Sequence, residues 1–313
     1  MRLSTMLTQK ATEDTTNKRV VAQYKRDIQR FSDYCRAEFK IREVKDLPEG
    51  KNGLVSLLNA YADHLSAEGK SSATVHTYLA PVCRGFGINM KDVDKPRREA
   101  LEVQKSRQAD ICNRQGQMEK ADPRNARLVD AAERIGIRRA EYARLPGTAY
   151  GKDICGQDCV TIRGKGGKIQ HQRILPEDRE AVKSLFDGSG RKIFSQEDMN
   201  NKIDLHGIRR EHAQKCYAYY VDQIKQGKGD QLRRELIATF KAYHYDGDNP
   251  KRIARFLDDI DRSGGVYATR GQNTDRARTS GSDGKYDRLA LMCVSVWHLA
   301  HWRLDVTVRH YML

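Results

Sequence analysis

The chain has no apolar run approaching the roughly 18 residues of a membrane-spanning helix, and its first residues carry no hydrophobic signal core. Both absences argue against secretion and membrane insertion. Cysteine is sparse and unpaired in pattern: Cys35, Cys83, Cys112, Cys155, Cys159, Cys216 and Cys293 are odd in number and scattered. That predicts reduced thiols in a cytoplasmic protein rather than a disulfide framework. Only Cys155 and Cys159 stand close together, and no second pair of ligands follows at a zinc-site spacing, so neither a metal nor a cofactor is expected. Internal repeats are missing, and no strand pattern occurs before residue 100. The hydrophobic fraction, 38%, is low but still globular.

What the chain has in excess is positive charge. It carries 57 Lys and Arg against 42 Asp and Glu, a net +15 over 313 residues. Residues 1–110 hold 20 basic and 15 acidic groups, leaving 37 and 27 for the rest, so the two parts are +5 and +10. The length suggests two domains. A basic excess in both fits a polyanion gripped from two sides, and nucleic acid is the expected partner.

The first 100 residues read as an all-helical unit. Val21, Tyr24, Ile28, Phe31 and Tyr34 recur at steps of three and four within 15–40, after a lead of about 15 residues. Leu54, Leu57, Leu58, Tyr61 and Leu65 repeat the pattern, with Gly69 as C-cap. Ser71 or Ser72 caps a third helix that runs to Gly85 and Gly87, with Pro81 as a site for a kink or an early end. Residues 92–125 are charged and weakly periodic, expected as a linker plus a helix lying across the interdomain cleft. The helical pattern resumes at Asn125. CVTIRGKGGKIQHQRILP, from Cys159, alternates on both sides of a glycine-rich turn and predicts a β-hairpin. A proline-led helix is expected at PEDREAVKSLF, another over 204–224, and a short one at LALMCVSVWHLAHW. Residues 262–288 are rich in Gly, Ser, Thr and Arg and read as a mobile basic loop. The fold class expected is mainly α with a small β-hairpin or sheet (α+β), in domains 1–108 and 109–313.

Four short stretches carry the chemistry, and each alone has a plain structural explanation. In GIRRAEYARL, Arg138 and Glu141 are spaced as a surface ion pair. The hairpin turn holds Lys165 and Lys168, ordinarily just solvated, although glycine-rich basic turns also approach phosphates closely. In LHGIRREHAQKCY, His206 and Arg209 share one face of a helix's first turn, where the helix dipole favours anions. In HLAHWRLDVTVRHYML, His301 precedes Tyr311 by ten residues.

In this order the pieces G-x-R-x-x-E, G-K-G-x-K, H-x-x-R, L-A-H and a late tyrosine resemble the tyrosine recombinases, or phage-type integrases. The likeness covers most of the chain: 1–108 resembles that family's helical core-binding (SAM-like) DNA-binding domain, and 109–313 its catalytic domain. The resemblance implies Tyr311 as nucleophile and Arg138 and Arg209 as the phosphate clamp. It further implies Lys165 as the hairpin lysine, His206 and His301 as the two histidines, and Glu141 as support for Arg138. His298 competes with His301. Lys168, Arg163, Arg210 and Arg84 are expected to contact DNA.

The implied activity is site-specific cutting and rejoining of double-stranded DNA through a 3′-phosphotyrosine, serving a mobile element or phage, with no cofactor. The implied assembly is a homotetramer on synaptic DNA, free monomers, and DNA-bending accessory proteins, in a bacterial cytoplasm at the nucleoid. A catalytically silent DNA-binding accessory protein on the same fold, or a type IB topoisomerase, are the alternatives. Two departures stand out. Arg209 and His301 are 92 residues apart, where the family commonly has about two dozen, so an insertion is expected at about 222–288, either remote from the chemistry or adding DNA contacts through Arg262, Arg270, Arg276, Arg278 and Arg288. Only Met312 and Leu313 follow Tyr311, which puts exchange of a C-terminal tail between subunits in doubt.

Overall fold

The computed structural model describes residues 1–98, 110–164, 167–243 and 249–313, with 110–114 as backbone only. The chain divides into two compact units, Met1–Val103 and Gln104–Leu313. It is mostly helical, with one three-stranded and one two-stranded antiparallel sheet, an α+β fold.

The first unit packs α1 (Leu3–Thr12), α2 (Lys18–Phe39), α3 (Gly50–Ala67) and α4 (Ser72–Phe86) around one core. The Asn17 side chain caps α2 by accepting from the backbone N–H of Arg19 and Val20, and Ser71 caps α4 through Thr74. Gly87 ends α4 in the left-handed region, and Pro81 lies inside α4 without ending it. The stretch read as a lead is itself α1, because Leu3, Met6, Leu7 and Ala11 form a buried stripe. It seats closely on α4: a Cβ at Gly85 would lie 2.8 Å from Leu7 Cδ2. Phe31 and Tyr61 meet edge-to-face at 5.1 Å in the centre.

The second unit opens with α5 (Asp110–Ala121), α6 (Ala126–Ile135) and the single turn α7 (Arg139–Tyr142). The helix expected within 92–125 is α5, and Glu119 on it accepts from the Lys202 backbone of this same unit; residues 99–109 of that stretch lie outside the described residues. β1 (Tyr150–Lys152), β2 (Asp158–Arg163) and β3 (Ile169–Arg173) form the antiparallel sheet, with Val160 opposite Gln172 and Thr161 opposite His171. β1 was not legible because three residues are too few to show alternation. The proline-led segment is a 3₁₀ turn, Pro176–Asp178, followed by the short α8 (Arg179–Lys183).

α9 (Leu205–Gln223) runs into α10 (Gly229–Tyr243) through a kink at Gly227, φ 83°. Then come α11 (Pro250–Asp261), β4 (Val266–Ala268), α12 (Gln272–Thr279), β5 (Lys285–Asp287), α13 (Arg288–Trp297) and α14 (Leu304–Thr307). The segment expected as a mobile loop, 262–288, is therefore a correction: β4 and β5 pair, with α12 between them, and Ala277 is fully buried. Its few apolar residues hide the structure from a composition argument, since backbone pairing and the buried Arg288, bonded to the carbonyls of Asp259 and Val266, do the holding.

The insertion is not a surface appendage either. Leu232, Leu236, Phe240, Phe256 and Ile260 join Leu291, Trp297, Leu299 and Tyr311 in one apolar core. Glu235 on α10 pairs at 2.6 Å with Arg173 on β3. Arg173 also pairs with Asp153 at 2.7 Å and lies 3.5 Å over the Trp297 ring of α13, so sheet, insertion and α13 meet at one guanidinium.

Candidate active site

Arg209 lies on the first turns of α9, which starts where Asp204 accepts from the Gly207 backbone. Its side chain is fully buried, with no carboxylate among its hydrogen-bond partners in the described residues. Instead Nη1 donates to the Gly136 carbonyl at 2.6 Å and Nη2 to the Leu299 carbonyl at 3.1 Å. Nε lies 3.4 Å from the Tyr311 hydroxyl. Three of its five N–H groups are so engaged, and one guanidinium joins the segments that carry Arg138, His301 and Tyr311.

Gly136 ends α6 with φ 65°, and its missing Cβ leaves room for the His212 ring. Two residues on, Arg138 precedes α7, where Glu141 holds it twice: Oε2 accepts from the Arg138 backbone at 2.7 Å and Oε1 from Nη1 at 2.8 Å. Glu141 is buried while Arg138 remains about one-third exposed, so the pair presents its positive end to solvent. The hairpin passes beside it, since a Cβ at Gly164 would lie 3.4 Å from Glu141 Oε1. Lys165 lies outside the described residues. Lys168 and Arg163 flank the turn and are exposed.

His301 sits in a loop whose neighbours Ala300 and Trp302 both have left-handed backbone, φ 51° and 56°. The loop is pinned to α13 by the His301 N–H donating to the Ser295 carbonyl at 2.9 Å and the Arg303 N–H to Ser295 Oγ at 3.0 Å. That aims His301 Nε2 at the Tyr311 hydroxyl, 3.2 Å away. Burial, then the guanidiniums of Arg209 and Arg138, push His301 down to about 4. His206 is nearer solvent, its ring centre 5.7 Å from that of Tyr311. It too is lowered, by desolvation and then by Arg209, with Arg138 and Arg210 adding to it. Arg138 thus lies within electrostatic reach of both histidines, and Arg210 of His206.

Tyr311 lies in a π-helical turn, Val308–Met312, with its carbonyl accepting from Gln214 Nε2 at 3.1 Å. It is 3% exposed, its ring under the Arg209 guanidinium at 5.7 Å. Tyr311, Arg209, His301, His206 and the Arg138–Glu141 pair thus come together. His298 does not join them: its Nδ1 and Nε2 face His212, Cys216 and Tyr220 in the core. Arg84 belongs to the first unit and pairs with Asp14 at 3.3 Å. Sequence reasoning missed Gly136, Ser295 and Leu299. All three act through backbone carbonyls, Ser295 through its Oγ as well, roles that leave no spacing signal.

No family model matches the chain, and no curated protein does. Among solved structures, a crystal structure of XerA recombinase matches 83% of this chain and 98% of that one, at 16% identity and a TM-score of 0.22.

Proposed function

We propose that this chain is a tyrosine-type DNA strand-transfer enzyme, a site-specific recombinase that cuts and rejoins double-stranded DNA through a 3′-phosphotyrosine. The observation that carries the reading is the Tyr311 hydroxyl set between His301 Nε2, 3.2 Å away, and Arg209 Nε, 3.4 Å away. A tyrosine with an imidazole and a guanidinium on its oxygen, and a second arginine nearby, is equipped for covalent attack on a phosphodiester.

In the proposed reaction, Tyr311 Oη attacks phosphorus and the 5′-oxygen leaves. The phenolic proton passes to a neutral imidazole, and both His301 and His206 are biased toward that form. Charge growing on the non-bridging oxygens is met by the guanidiniums of Arg138 and Arg209. Lys165 on the hairpin is the candidate to protonate the leaving oxygen. The phosphotyrosine bond keeps the energy for rejoining, so no nucleotide cofactor is needed. Because Tyr311 is buried and covers Arg209, the phosphate must displace the ring from the guanidinium before attack. The proposed partners are double-stranded DNA and, on synaptic DNA, three further copies of the chain.

The test is a denaturing gel with nicked suicide duplexes taken from DNA flanking the gene. Wild type should give a shifted, protease-sensitive band, and Tyr311→Phe should lose it by at least about 1,000-fold while binding DNA nearly as well. An adduct that survives in Tyr311→Phe would remove Tyr311 as nucleophile. Salt-sensitive binding with no adduct from either protein would point to the silent accessory protein, and relaxation of unrelated supercoiled plasmid to a topoisomerase.

A further inference from the structure

One cluster in the core has no part in the proposed reaction. His212 and Cys216 stand four residues apart on one face of α9, and His298 follows the end of α13. All three are buried. His212 Nε2, Cys216 Sγ and His298 Nδ1 form a triangle with all three sides 3.3 Å.

We propose that this triangle is a structural metal site for one thiophilic d¹⁰ ion, Zn(II) or Cu(I), held by two imidazoles and a thiolate. The centre of such a triangle lies about 1.9 Å from each corner, and a point about 0.9 Å out of its plane lies about 2.1 Å from each, close to metal–imidazole lengths and slightly inside a metal–thiolate length. The far nitrogens are set as metal-bound histidines require. The Glu133 carbonyl, which can only accept, takes the Nδ1–H of His212 at 3.0 Å, leaving Nε2 with its lone pair toward the triangle. Tyr220 Oη lies 3.0 Å from His298 Nε2, where in the metal-bound form it would accept that N–H and leave Nδ1 to the ion.

Both imidazoles are buried, and burial disfavours their charged forms, which cannot bind a metal. The thiol of Cys216 is raised by burial and is the one group that must lose a proton. On binding, its S–H bond breaks, the proton passes to solvent and an S–metal bond forms, with no change of oxidation state. The ion would staple α9 to α13. Arg209 lies three residues before His212, and Leu299, whose carbonyl Arg209 holds, directly follows His298. The staple is therefore a positioning device one step behind the site.

The experiment uses the full chain, purified without chelator and without a metal-affinity tag. Elemental analysis should find close to one zinc or copper per chain, and Cys216→Ser should lower that to near zero while Cys155→Ser leaves it unchanged. Should Cys216→Ser fail to fold, wild type stripped of metal and titrated with Co(II) still decides the matter. A thiolate-to-cobalt charge-transfer band in the near ultraviolet, saturating at one equivalent and removed by added Zn(II), supports the site. Competition between Zn(II) and Cu(I) then identifies the ion. Metal-free wild type with no cobalt band would overturn the proposal and leave the cluster as a hydrogen-bonded knot. The metal readout is independent of DNA cleavage, so either proposal can fail alone.

Discussion

Arg209 answers two demands with one side chain, and its substitutions separate them. Arg209→Lys keeps the positive charge but cannot reach both carbonyls and the tyrosine at once. Two buried carbonyl acceptors would lose their partners, a loss on the order of 2–4 kcal/mol in denaturant unfolding, and adduct formation should fall with it by at least about 100-fold. Retention of wild-type stability would show that the two carbonyls find other donors. Ala300 gives the opposite sign. An alanine at φ 51° costs about 1–2 kcal/mol relative to glycine, against about 0.4–1 kcal/mol that glycine loses through the unfolded chain. Ala300→Gly should therefore raise stability by up to about 1.6 kcal/mol in urea unfolding.

Among the elements, the contact between β3, α10 and α13 through Arg173 makes the insertion part of the core. Glu235→Gln keeps the hydrogen-bond acceptor and removes the charge from a pair only 6% and 15% exposed. A loss on the order of 1–3 kcal/mol is expected from calorimetry or denaturant melts; no loss would mean that Asp153 satisfies Arg173 alone. The sequence disclosed the elements with strong periods: α2, α3, α4, α9 and the β2–β3 hairpin stand where the spacing puts them. It did not disclose α1, although Leu3, Met6, Leu7 and Ala11 carry the pattern, nor the β4–α12–β5 unit, whose stability comes from backbone pairing and Arg288. At the site, the side chains that meet were each visible as residues. What joins them was not, because Arg209 uses the carbonyls of Gly136 and Leu299, and a carbonyl has no letter in a sequence. His212, Cys216 and His298 were equally silent: two lie at helical spacing, and the third is 82 residues from Cys216.

At the scale of the whole molecule, charge and buried histidine set the response to solution conditions. With a net +15, DNA affinity should fall steeply and linearly in log–log form as salt rises; a flat dependence in fluorescence anisotropy would exclude phosphate-dominated binding. Acid acts through another route. His301 and His212 are held at about 4 in the folded protein, mainly by burial, against an ordinary value near 6.5. Between those values the unfolded chain binds more protons. The stability these groups carry is present above about pH 6.5 and is lost as the pH falls toward 4. The melting temperature of metal-free protein should drop across that window, and His301→Gln should make the slope shallower. An unchanged slope would mean that His301 is not held neutral by the fold.

Arg209 also has a bearing on when the chain becomes chemically competent. Its three contacts reach across 73, 90 and 102 residues of sequence, forward to Leu299 and Tyr311 and back to Gly136. No local stretch emerging from a ribosome can organise them. A nascent or proteolytically shortened chain that gripped DNA through its basic helices would hold the polymer without being able to nick it. On the proposed reaction, incomplete chains would therefore bind without cutting, by topology rather than by an inhibitor.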